Sequence, residues 1–125
     1  MHAIILAAGQ GIRLRPFTHI IPKPMLEFGG KTLLGRLIET VNSCGIYDVS
    51  IVTGYNHNTI NFPKITYFRN ERFMNTNMMT SLFCAKEKLK GTVIISYADI
   101  IFEKKILIKL FSLNLNKGGC FWKMF

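Results

Sequence analysis

Between residues 4 and 25 the chain gathers groups that bind anions. Ile4, Ile5, Leu6, Ala7 and Ala8 run into Gly9-Gln10-Gly11, then Arg13 and Arg15, then Pro22-Lys23-Pro24. Two glycines one residue apart let the backbone turn tightly and let a ligand reach the amides with no Cβ in the way. Several N–H groups can then point at one anion. Arg13 and Arg15 add guanidinium charge. Lys23 adds an ammonium group on a loop stiffened by a proline on each side. The chemistry of this set is polyphosphate binding. For Gly9 and Gly11 by themselves, a plain turn after a strand is the other reading. No Gly-Lys-Ser/Thr follows, so this is not a P-loop, and no third glycine completes a dinucleotide fingerprint.

Two more places carry polar chemistry. Asp99 follows the apolar run Val93-Ile94-Ile95-Ser96-Tyr97. A carboxylate at the carboxyl end of a parallel strand sits where open α/β sheets bind ligands, and its hard oxygen suits Mg²⁺. A helix N-cap or a loop residue is an equal alternative there. Asn75-Thr76-Asn77 leads into Met78-Met79-Thr80-Ser81-Leu82. Asn77 is a fitting helix N-cap. The amides and hydroxyls at that helix start could read a nucleobase edge, or the segment is simply a capped loop.

The elements that must position these groups follow from the hydrophobic pattern. Ala3 to Ala8 is short and continuously apolar, as in a strand buried on both faces. Leu33, Leu34, Leu37, Ile38, Val41 and Cys44 recur at helical spacing, with Thr32 as N-cap and Gly45 beyond the C-terminus. Asp48 to Gly54 reads as a second buried strand, Ile65 to Phe68 as a third and Thr92 to Tyr97 as a fourth. Tyr55 to Asn61 is a short helix or a loop, and Arg69 to Met74 a loop. The spacing predicts a helix from Asn77 to about Leu89, with Lys86, Lys88 and Lys90 in its last turn. Another is predicted from Glu103 to about Leu113, with Ile106, Leu107, Leu110 and Phe111 on one face. Residues 114–125 show no strand alternation and no helix cap. Strand, helix and strand in alternation predict a doubly wound α/β fold with a mostly parallel sheet and Rossmann-like nucleotide-binding topology. The organisation expected is one domain over residues 1–113 and an irregular tail over 114–125.

Size and composition narrow the classes. At 125 residues the chain holds one domain at most. Hydrophobic content of 49% against 18% charged describes a core-forming chain rather than a disordered one. A net charge of +9 favours an anionic partner, although a scattered basic excess is also what a solvated face gives. There is no run of five basic residues and no aromatic platform interleaved with them, so no nucleic-acid partner is expected. No segment approaches the ~18 apolar residues of a membrane span. Cys44, Cys84 and Cys120 are odd in number and lack C-x-x-C spacing, which argues for a reducing, cytoplasmic setting.

Position by position, the first stretch resembles the signature of the nucleotidyltransferases that make activated sugars and alcohols, L-A-A-G-x-G-x-R-[LM]-x-P-x-T followed by P-K-P. Leu6, Ala7, Ala8, Gly9, Gly11, Arg13, Leu14, Pro16, Thr18, Pro22, Lys23 and Pro24 all fit. Within this superfamily of sugar-1-phosphate nucleotidylyltransferases and MobA-like NTP transferases, Asn77 to Ala85 looks most like the CTP:phosphocholine cytidylyltransferase branch. Ala98-Asp99 departs from the usual Gly-Asp.

The resemblance implies the nucleotide-diphospho-sugar transferase fold and a set of roles. Leu6, Ala8 and Gly9 would meet base and ribose; Gly11 and Arg13 would hold the outer phosphates; Lys23 would bind the α-phosphate. Asn77 and Thr80 or Ser81 would help read the base, and Asp99 would hold Mg²⁺. The implied reaction passes a nucleoside monophosphate, CMP from CTP foremost, to a phosphorylated acceptor such as phosphocholine and releases pyrophosphate. A sugar-1-phosphate nucleotidylyltransferase using UTP, dTTP or GTP is the alternative. Members are commonly longer, and only seven acidic residues occur here, none beyond Glu103. A truncated chain, lacking a second metal carboxylate and the acceptor pocket, is therefore expected, and an inactive nucleotide-binding fragment is the third reading. The fourth strand, left as an open sheet edge, would favour self-association.

Overall fold

The computed structural model describes residues 1–9, 21–98, 100, 103–114 and 122–124. In chain order the elements are β1 (His2–Ala7), a small hairpin of β2 (Glu27–Phe28) and β3 (Lys31–Thr32), and α1 (Leu33–Ser43). Then come β4 (Val49–Thr53), β5 (Thr66–Arg69), α2 (Met78–Cys84), β6 (Val93–Tyr97), α3 (Lys104–Asn114) and β7 (Trp122–Met124). The hairpin turns on Gly29 and Gly30, at φ of +63° and +82°, the paired left-handed conformation that a two-residue turn needs. Single 3₁₀ turns occupy Lys23–Met25, His57–Thr59 and Lys86–Lys88.

Among the described residues the main sheet has five strands in the order β5-β4-β1-β6-β7. All four of its pairings are parallel. β1 lies in the middle, with Ile5 opposite Ile51 on one side and Ser96 on the other. From β1 the chain builds outward through β4 and β5, then returns to the other side for β6 and β7. That reversal makes the carboxyl ends of β1 and β6 a topological switch point.

The apolar run of β1 is continuous because both faces are covered. Ala3, Ile5 and Ala7 pack with Leu34, Leu37 and Val41 of α1 and with Leu107 of α3. Ile4 and Leu6 point the other way, onto Leu82 and Ala85. Each fully buried Leu or Ile contributes roughly 1.5–3 kcal/mol. α1 starts where expected: Thr32 Oγ1 accepts from the Gly35 amide at 2.9 Å. It ends at Gly45, whose φ of +83° suits a residue with no Cβ.

Three expectations are corrected. α2 stops at Cys84 rather than near Leu89. Ala85 is fully buried against the sheet, and the tighter 3₁₀ turn after it brings Leu89 onto the same cluster. On α3, Leu107 is buried while Ile106 stays exposed, so the helix does not bury the whole expected face. The chain end is not wholly irregular: Trp122–Met124 pairs in parallel with Val93–Ile95, so over that span the edge of β6 is covered rather than open. Trp, Lys and Met in extended form satisfy the β6 backbone without a long alternating run. No helix among the described residues is long and apolar enough to cross a membrane.

Candidate functional site

A cavity of about 290 Å³ opens at the switch point. Its floor is the end of β1 and the residues after it, Leu6 to Gly9, beside Tyr97 and Ala98 from the end of β6. The Ala98 amide donates to Leu6 O at 3.0 Å, which prolongs the β1–β6 ladder to the cavity rim. Lys23 and Pro24 line it as well, and a polar wall is made by Phe73, Thr76, Asn77, Met78 and Ser81 from the loop after β5 and the start of α2.

Lys23 is held by its local backbone. Pro22 precedes it with φ of −64°, Pro24 follows it, and the Met25 amide donates to Pro22 O at 2.9 Å. Pro24 is buried and Met25 packs against the main core, so the turn carrying Lys23 is anchored from beneath. Among the described residues Lys23 is the one charged side chain lining the cavity.

The floor is fixed by a close backbone approach. The Tyr55 amide donates to Ala8 O at 3.2 Å. Phe73 stands on the other side of Gly54, and its ring meets Tyr55 edge-on with centroids 6.1 Å apart. Gly9 is exposed, and a Cβ there would meet nothing described within 4 Å. A ligand can therefore lie directly on its backbone.

The polar wall is organised by hydrogen bonds. Asn77 Oδ1 accepts from the Thr80 amide at 3.2 Å, the N-cap of α2. Asn77 also lines the cavity. Ser81 is buried and lines the cavity, whereas Thr80 is exposed and lies outside the lining. Tyr97 donates its hydroxyl hydrogen to Met78 Sδ, tying the end of β6 to α2.

Of the residues singled out in the sequence, Leu6, Ala8, Gly9, Lys23, Asn77 and Ser81 thus share one cavity. Gly11, Arg13 and Asp99 lie outside the described residues. The described lining offers hydroxyl, amide and ammonium groups but no carboxylate, and no cluster of three His, Cys, Asp or Glu occurs among the described residues. Thr76, within the polar stretch before α2, also lines the cavity, and Phe73 and Tyr97 join it without having been expected there. Nothing in the local pattern of Phe73 or Tyr97 marks them, because the pairing of β5 and β6 into the sheet is what brings their segments to the cavity.

A family model described as MobA-like NTP transferase domain matches residues 3–121. The chain is 40% identical over 121 residues to the CTP:phosphoglutamine cytidylyltransferase of Campylobacter jejuni, covering 88% of this chain and 48% of that protein. The solved CTP:phosphocholine cytidylyltransferase of Streptococcus pneumoniae superposes with a TM-score of 0.74 at 32% identity, over 83% of this chain and 49% of that one. A glucose-1-phosphate thymidylyltransferase structure from Bacillus anthracis, described as putative in its own name, shares the fold with a TM-score of 0.82 at 24% identity, over 95% and 52%. The chain spans about half the length of these two cytidylyltransferases.

Proposed function

The chain belongs to the MobA-like NTP transferase family, and from that premise we propose that its cavity binds a nucleoside triphosphate, CTP in preference, for transfer of CMP to a phosphorylated acceptor. One observation carries the reading: the cavity at the ends of β1 and β6 gathers the Leu6–Gly9 backbone, the Lys23 ammonium and the Asn77–Ser81 wall around a single space. Two similar proteins at 40% and 32% identity are cytidylyltransferases by name, which favours CTP.

In this reading the base lies against Ser81 and Asn77, and the ribose over Ala8 and Gly9. Lys23 faces the α-phosphate. Arg13 and Gly11, next along the chain, hold the β- and γ-phosphates. An oxygen of the acceptor phosphate attacks the α-phosphorus, the bond from that phosphorus to the bridging oxygen breaks, and pyrophosphate leaves. No side chain need become a covalent nucleophile, because the acceptor oxygen is already anionic. The protein contributes orientation and positive charge. Asp99, one residue beyond the cavity-lining Ala98, would hold Mg²⁺, which when bound neutralises phosphate charge. Phosphocholine, phosphoglutamine or a related phosphorylated small molecule is the acceptor class that the similar proteins suggest.

Calorimetric titration with CTP, UTP, GTP and ATP in the presence of Mg²⁺ tests the reading, on the wild type and on Lys23→Ala. The expected result is binding of CTP ahead of the others, weakened by the substitution. A preference for UTP or GTP would move the assignment to the sugar-1-phosphate branch. A folded chain that binds no nucleotide would overturn it.

A further inference from the structure

A buried carboxamide stands behind the polar wall of the cavity. Asn70 follows β5 and is 3% exposed. Its amide nitrogen donates to Thr53 O at 2.8 Å, which fixes its backbone to the end of β4. Its Nδ2 donates to Thr76 Oγ1 and to Ser81 Oγ, each at 2.9 Å. Its Oδ1 accepts from the Arg72 amide at 3.0 Å. A backbone amide can only donate, so that contact determines which end of the carboxamide is oxygen and which is nitrogen.

The two hydroxyls differ in what remains to them. Thr76 Oγ1 donates to Arg72 O at 2.8 Å, so its hydrogen is used. Ser81 Oγ accepts from Asn70, and among the described residues no acceptor takes its hydrogen. Ser81 is also buried and lines the cavity. We infer that Asn70 is a positioning residue that fixes Ser81 as a hydrogen-bond donor into the cavity and thereby selects a base edge with an unprotonated ring nitrogen. Cytosine has such a nitrogen at N3. Uracil carries N3–H there, and to accept that hydrogen Ser81 would have to leave its own buried and unpaired, which is the costly arrangement.

Because this rests on the nucleotide reading of the cavity, the test begins with the wild type, titrated with CTP and with UTP. Absence of nucleotide binding, or of any CTP preference, would overturn both readings together before a variant is made. With a CTP preference established, the discriminating variant is Asn70→Asp, which has the same shape but only acceptor oxygens once ionised. It would draw the Ser81 hydrogen back toward itself. The expected result is a loss of CTP affinity of about tenfold or more with little change for UTP, so that the ratio of the two approaches one. Ser81→Ala should lose the same ratio, and the double variant should lose no more than either alone. Should Asn70→Asp not fold by circular dichroism, Asn70→Ser removes the same donor from Ser81 and carries the same expectation. A purely structural asparagine would lower the melting temperature and leave the CTP:UTP ratio where it was. That outcome, or additive losses in the double variant, would overturn the assignment while leaving the nucleotide reading intact.

Discussion

A methyl group on Gly54 would stand 2.9 Å from the carbonyl oxygen of Ala8 and 3.0 Å from its Cβ. Gly54 ends the run of β4 and Ala8 ends that of β1, so the two strands converge at the cavity floor. Real Cβ atoms do not sit that close to backbone. Gly54→Ala must therefore push Ala8, Phe73 or both. The expected outcome is destabilisation of about 1–3 kcal/mol, the range for overpacking, together with weaker nucleotide binding. Chemical denaturation and titration on the same variant check the two parts.

Gly9→Ala should separate what Gly54→Ala combines. Open space surrounds a Cβ at Gly9 among the described residues. Stability should stay within about 0.5 kcal/mol of the wild type, as for most exposed substitutions. Nucleotide affinity should still fall, since the methyl group would occupy the surface on which the proposed ligand rests. Unchanged affinity would remove Gly9 from the site.

Lys23 should be sensitive to shape as well as charge. Lys23→Ala is expected to weaken triphosphate binding roughly 10- to 100-fold, the range for loss of a charge-assisted hydrogen bond. Lys23→Arg should recover only part of it, because a planar fork does not occupy the place of a compact ammonium held between prolines. Equal binding by wild type, Ala and Arg variants would show that the ammonium does not meet the phosphates.

Away from the cavity, Thr32→Ala should cost about 1 kcal/mol, as removal of a helix N-cap does. The lost contact is the 2.9 Å bond from the Gly35 amide. Thermal melting should show a fall of about 4 °C, with the ratio of CTP to UTP affinity unchanged.

Ser50 offers the opposite sign. It is 1% exposed in β4, and its Oγ finds no partner among the described residues. A buried hydroxyl without a partner costs free energy that a methyl group does not. Ser50→Ala should be neutral or stabilising by up to about 1 kcal/mol, read from the denaturation midpoint.

The parts of the fold that were legible in the sequence are those whose signal is local. β1, β4 and β6 announce themselves as continuous apolar runs because both of their faces are buried, and α1 as a stripe with a cap at each end. That Gly9, Lys23 and Pro24 would share one place was legible for the same reason: they lie close together in the chain, and they line one cavity. What was not legible depends on pairing at a distance. β7 is three residues long, and only the ladder to Val93–Ile95 defines it as a strand. α2 was read as too long because Leu89 continues its spacing, although a 3₁₀ turn brings that residue to the same cluster. Asn70 lies in the predicted loop of residues 69–74. Its burial and its side-chain bonds to Arg72, Thr76 and Ser81 are not revealed by periodicity.

The central place of β1 has a consequence for how the protein is made. His2 pairs with Val93, and Leu6 with Tyr97. At synthesis rates of about 5–20 residues per second, the first strand leaves the ribosome roughly 5 to 20 seconds before its second neighbour exists. During that interval β1 presents an edge of unpaired backbone N–H and C=O groups, and the cavity floor has no far side. Assembly of the cavity is therefore among the late events of folding, gated by the loop closure that brings β6 to β1. A nascent chain halted anywhere before β6 should be caught by chaperones rather than by nucleotide.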